Sequence, residues 1–214
     1  VIKTERDNKG KLDRIYIGAE GKSKGNSDSI IQFEFSYIQS DRDREELREN
    51  ISMVLEAVSL AVRDWKKMLS EVDTNIKNLE NKKLPYDKAY LSEVSDFFKW
   101  LADNHFSFLG YGKYNHSLSK SPSKSAKSDS LSLRSDEKSR LGIFDFDVNS
   151  NTRQNVETAI SSSVPQIKDQ SLVEFSKSEK PALVHRPVHM DYIRIKNFDS
   201  SGNYTGESRL LGLF

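Results

Sequence analysis

Apolar and polar positions alternate in two ways along this chain, and the switch between them predicts most of its elements. Leu12, Ile15 and Ile17 suggest a short strand. A polar, glycine-containing loop follows over 18–29. Within Ile30–Ile38, Ile31, Phe33, Phe35 and Tyr37 alternate with polar residues, the period of a half-buried strand. The period then lengthens. Leu47, Ile51, Val54, Val58, Val62, Trp65, Leu69, Val72, Ile76 and Leu79 are spaced by three and four, which makes one stripe along a helix. Ser40 or Asp41 can cap it by accepting the first free backbone N–H groups. A helix of about 38 residues would be about 57 Å long, a length suited to a strut or to packing along another helix. Leu55, Ala57 and Ala61 add a second stripe and predict that the first half is the more deeply buried.

The break at Asn81–Pro85 separates this helix from a second, predicted over Tyr86–Asn104 with Leu91, Val94, Phe97, Phe98 and Leu101 on one face. His105–Tyr114 turns to strand character, with a bulge expected at Gly110 and Gly112. Asn115–Arg140 is rich in serine and lysine and too poor in apolar residues to offset the entropy of ordering, so a flexible loop within a domain is expected there. Further strands are expected at Leu141–Val148 and Leu172–Phe175, and a weak helix near Asn155–Ile160. Val188–Phe198 and Tyr204–Phe214 flank Asp199–Asn203, a strong turn signal with Gly202 where a positive φ is expected. The fold class is α+β, with a mostly antiparallel sheet and helix on one face of it.

Composition narrows the chemistry. The 214 residues carry 33 basic and 32 acidic side chains, a net charge of +1, which gives no global attraction to nucleic acid or a membrane surface. No apolar run approaches the roughly 20 residues of a membrane-spanning helix. The absence of cysteine excludes disulfides, zinc–thiolate sites, iron–sulfur clusters and a cysteine nucleophile. His105, His116, His185 and His189 are scattered, and Pro187 prevents the last two from sharing a helical face, so no metal site is expected. No nucleophile elbow, phosphate-binding loop or dinucleotide fingerprint is present, and no catalytic or cofactor-binding residue is assigned. The chain begins at Val1 and ends on the apolar run Leu210–Phe214, which reads as a stretch of a longer protein.

A polar cluster remains. Arg186, Asp191 and Arg209 could bind a small anion or amino acid, because guanidinium groups match carboxylates, or they could form ion pairs that fix a turn. The structural role is favoured. Trp65 and Trp100 fall on or beside apolar helical faces and are expected as structural anchors, Trp65 within the fold or against a second chain.

Three blocks carry a more specific signal: Val58–Met68, Phe97–Tyr111, and Val184–Pro187 continuing through Asp191–Ile193, Lys196, Phe198, Gly202, Gly206, Glu207 and Arg209–Phe214. In residues and order they resemble the N-terminal, non-catalytic region of the large bacterial NAD-specific glutamate dehydrogenases. The chain departs at Gly112–Tyr114 and in its long serine-rich stretch, differences that fit loop variation. The resemblance implies a cytoplasmic homo-oligomer converting L-glutamate to 2-oxoglutarate and ammonia, with NAD bound by a domain downstream and no cofactor in this stretch. It implies a regulatory or assembly role, with the rest of the same polypeptide as partner and an amino acid as candidate effector. Residues 1–84 would then be the end of an ACT-like module plus the long helix, and 85–214 a PAS-like or ACT-like module. A stand-alone amino-acid-sensing and protein-interaction module is the alternative.

Overall fold

In a computed structural model of the chain, the described residues are 2–9, 11–16, 25–118, 131–146 and 171–214. The architecture is α+β, with one long helix and a mostly antiparallel sheet. Contacts divide the chain into two units, Val1–Leu47 and Arg48–Phe214. Within the second, the C-terminal half of the long helix shares a core with the large sheet.

The first unit holds a three-stranded antiparallel sheet, ordered β2 (Leu12–Tyr16), β1 (Ile2–Arg6), β3 (Asn26–Asp28). Thr4 Oγ1 donates to Asp28 Oδ2 at 2.7 Å, and Arg6 pairs with the same carboxylate at 2.8 Å, tying β1 to β3. The strand expected over Ile30–Ile38 is not formed. That segment has no regular structure, and Ile30, Ile31, Phe33, Phe35 and Tyr37 are all exposed. Alternation marks a segment that could bury one face, but a strand also needs a partner ladder, and none of the described residues supplies one.

The helix α1 runs continuously over Asp41–Asn81. Ser40 Oγ accepts from the Asp43 N–H at 3.3 Å, and Asp41 and Asp43 in the first turn suit the positive end of the helix dipole. Its burial reverses the expectation. Met68, Val72, Ile76 and Leu79 lie in one core with Phe98, Leu101, Tyr111, Ile193, Ile195 and Leu210. In the preceding half only Ala57, Leu60 and Ala61 reach a core, with Leu109, Phe144, Tyr192 and Leu211. Leu55, Val58, Val62 and Trp65 stay exposed. The small Ala57 and Ala61 form the contact face there, which turns the larger side chains toward water.

Asp87 caps α2 (Lys88–Trp100) by accepting from the Ala89 N–H at 3.1 Å. A wider π-helical turn, Leu101–His105, then ends at Asn104, whose φ of 60° turns the chain into β4 (Ser107–Leu118). The remaining strands are β5 (Leu131–Ser135), β6 (Leu141–Gly142), β7 (Val173–Pro181), β8 (His189–Phe198) and β9 (Tyr204–Leu213). They form an antiparallel sheet ordered β5-β4-β9-β8-β7, with β6 paired to Gly110–Tyr111 of β4. Leu210 and Leu211 are neighbours on β9 and so point to opposite faces, yet both are fully buried, in different clusters. Both faces are therefore covered, not one.

Several local expectations meet their physical test here. The bulge in β4 falls between Phe108 and Gly110, and the β8–β9 hairpin turns with Gly202 at φ 83°. Of the strand expected over Leu141–Val148, the described residues 141–146 form only Leu141–Gly142, because Gly142 takes φ 62° and the chain enters a 3₁₀ turn over Ile143–Asp145. A Cβ at Gly142 would lie 2.2 Å from the Leu109 carbonyl oxygen, so only glycine fits. The Asn115–Arg140 stretch is not all loop: Tyr114–Leu118 pairs with Leu131–Ser135. Residues 119–130, and the helix expected near 155–160, lie outside the described residues.

Candidate functional site

A cavity of about 230 Å³ lies between the C-terminal part of α1 and strands β4, β8 and β9. Its builders are polar residues set among apolar ones. On α1, Asn75 falls at helical spacing between Val72 and Leu79, so the register that buries those two also buries Asn75. Asn78 and Lys82 follow on the same wall. From the sheet come Lys113 of β4 and Asn197 of β8. Leu79, Leu84, Ile195 and Phe198 supply the apolar part. Three lysines and no carboxylate line the cavity.

A hydrogen-bonded network supports this wall. Tyr111 donates to Ser208 Oγ at 3.0 Å, and Ser208 Oγ is joined to the Asn197 carboxamide at 3.0 Å. Tyr111 also lies 3.3 Å from Glu71 Oε2, and that carboxylate pairs with Lys113 Nζ at 2.8 Å. Burial pushes the Tyr111 hydroxyl far above its ordinary pKa, so it remains a neutral donor. Lys82 Nζ donates to the Phe198 carbonyl at 2.8 Å, which ties the end of α1 to β8. Asn75 is 5 % exposed, and its side-chain amide donates toward the Tyr111 hydroxyl, which partly offsets the effect of burial on that group.

The residues singled out from sequence lie elsewhere and do not form one cluster. Arg209 is buried: its Nε donates to Glu207 Oε2 at 3.1 Å, its Nη1 donates to the Tyr192 hydroxyl at 3.1 Å, and its guanidinium stacks 3.8 Å above the Tyr114 ring. Asp191 pairs with Lys177 at 2.6 Å, its direct neighbour in the β7–β8 register. Arg186 donates to the Phe214 carbonyl oxygen. Arg186 and Asp191 thus take separate partners. Trp65 is 47 % exposed, with Lys66 Nζ 5.7 Å from its ring, so it does not anchor α1 within the core. Trp100 is 44 % exposed but stacks on His105 at 4.6 Å and Phe214 at 5.9 Å. Sequence reasoning missed the cavity, whose lining is spread over α1, β4, β8 and β9.

Among the described residues no group of three histidine, aspartate or glutamate side chains is placed to hold a metal ion, and no helix is long and apolar enough to cross a membrane. No protein-family model matches the chain. It is 29 % identical over 218 residues to the NAD-specific glutamate dehydrogenase of Halomonas elongata, and 29 % identical over 220 residues to that of Pseudomonas aeruginosa. Over its whole length the chain is thus similar to a stretch of these NAD-specific glutamate dehydrogenases, and it spans 13 % of the length of each.

Proposed function

We propose that the chain is a non-catalytic regulatory or assembly segment of an NAD-dependent glutamate dehydrogenase, N-terminal to the part that performs the reaction. The observation that carries this reading is the similarity over 100 % of the chain to only 13 % of each relative. The whole enzyme would oxidise L-glutamate to 2-oxoglutarate and ammonia, reducing NAD, as a cytoplasmic homo-oligomer. Residues 1–40 would close an ACT-like module preceding the second unit. A segment without chemistry of its own affects rate only by favouring one conformation or assembly state of the whole.

The test is a pair of measurements. The chain alone should form no NADH from glutamate and NAD above a protein-free control. In the full-length enzyme, deleting the segment should change the number of subunits in the oligomer, or the dependence of rate on effectors. NADH formation by the chain alone would end the non-catalytic reading. A deletion that leaves subunit number, rate and effector response unchanged would end the regulatory or assembly role. A cavity lined by three lysines and no carboxylate favours a second reading, a ligand-sensing module that acts on another protein.

A further inference from the structure

We propose that an exposed row of aromatic rings beside the end of β9 is the seat of the polypeptide that follows Phe214 in the whole protein, so that this stretch is clamped and is not a slack tether. The inference deepens the reading of the chain as N-terminal to a catalytic part, and rests on it.

The last turn of α2 presents Phe97 and Trp100 three residues apart, so both rings share one side of the helix. Phe97 meets Phe175 of β7 edge-on, with ring centroids 5.4 Å apart. Trp100 lies 6.1 Å from Phe97 and stacks on Phe214 at 5.9 Å. His105 stacks on Trp100 at 4.6 Å, and the buried Phe106 holds Phe214 in a T-shaped contact at 5.1 Å. The rings are thus fixed by one another, yet Phe175 is 58 %, Phe214 47 % and Trp100 44 % exposed. Three large rings linked through Phe97 and half open to water make one patch, unlike apolar residues scattered singly over a surface. Such rings dominate contact energies, because each buries much area in a well-defined geometry.

What covers the patch follows from the path of the polypeptide. The chain spans only 13 % of each relative, and on the reading above the polypeptide runs on from Phe214, which is itself one of the rings. Steps of 5.4 to 6.1 Å lead from Phe214 through Trp100 and Phe97 to Phe175. About six extended residues at roughly 3.3 Å each cover that path, or about 12 helical ones at roughly 1.5 Å each. A segment tethered at Phe214 meets the patch at an effective concentration on the order of millimolar. A second copy would have to give up free translation and rotation to reach the same rings. The occupant is therefore the stretch just after Phe214, bringing apolar side chains to Trp100 and Phe175. A packed joint of this kind transmits a conformational preference from one part of an enzyme to the next, which a slack linker does not.

Photo-cross-linking in the full-length enzyme tests the proposal, with benzoylphenylalanine in place of Phe175. Light and heavy subunits are mixed, so that mass spectrometry separates links within one chain from links between copies. The expected product joins position 175 to its own chain within about 15 residues after Phe214. Hydroxyl-radical footprinting of the unmodified enzyme should find Trp100 several-fold less reactive than in the chain alone. Phe175→Ser removes one ring of the seat. It should raise protease cleavage just after Phe214 by about tenfold or more, while the melting midpoint of the chain alone changes little. The proposal is overturned if position 175 forms no link to that stretch or links to another copy. It is overturned equally if Trp100 is as reactive in the enzyme as in the chain alone, or if Phe175→Ser leaves cleavage unchanged. None of these results bears on whether deleting the whole segment alters subunit number or rate, so the two readings fail separately.

Discussion

At the scale of single residues, the second unit depends on a few buried charges with several partners each. Asp64 is the clearest. Its side chain is fully buried on α1 and accepts from Arg63 at 2.6 Å, Lys67 at 3.1 Å and the Gly142 N–H at 3.1 Å. The Arg63 guanidinium, then the Gly142 N–H and Lys67, outweigh burial and pull its carboxyl down to about 2. A depressed carboxyl pKa contributes stability that is complete above the ordinary aspartate value near 4 and lost as pH falls through about 2. Arg63 is half exposed, so water screens the pair and the contribution is about 1–2 kcal/mol. Asp64→Asn should therefore lower stability at neutral pH and flatten its acid dependence between about pH 4 and 2. Denaturant titrations at several pH values measure both. A variant as pH-dependent as wild type in that window would remove Asp64 from this role.

At the scale of elements, what could be read from sequence was what is local. The 3.6-residue period of α1 and α2 needs no distant partner, and the Asp199–Asn203 turn sets the β8–β9 hairpin by its own chemistry. Ile30–Ile38 has the pattern of a strand but lacks a ladder, and Leu141–Val148 was shortened by the backbone Gly142 requires. The half of α1 that is buried was misjudged because periodicity shows a stripe but not what covers it. The cavity was illegible for a related reason: Asn75, Lys113 and Asn197 come from three elements, and only the fold brings them together. For α1 this has a measurable consequence. A buried tryptophan replaced by alanine costs roughly 3–5 kcal/mol. With Trp65 half exposed, Trp65→Ala should cost about 1 kcal/mol or less in the chain alone, near the range of surface substitutions. Urea titration decides it. A loss of 3 kcal/mol or more would show the ring covered in solution.

At the scale of the molecule, β9 organises the second unit. It pairs with β4 along one edge and with β8 along the other, and Leu210, Leu211 and Leu213 enter both hydrophobic clusters. An edge strand can be lost with local damage, whereas a central one takes two ladders with it. A chain ending at Asn203 should therefore lose cooperative melting and its near-ultraviolet tyrosine signal. The matching deletion of the edge pair β5 would remove one ladder only. Retention of a cooperative transition without β9 would show that α1, α2, β4 and β8 form a stable core by themselves.

The strand order also sets a schedule for synthesis on the ribosome. Among the strands of the large sheet β4 emerges first, yet the neighbour on its long ladder, β9, is translated last. At roughly 5–20 residues per second, the stretch between them keeps β4 waiting for several seconds. During that interval Leu109, Tyr111 and the apolar face of α1 are made but have no β9 to cover them. The nascent chain therefore offers a holdase chaperone a window that closes only when Leu213 leaves the exit tunnel.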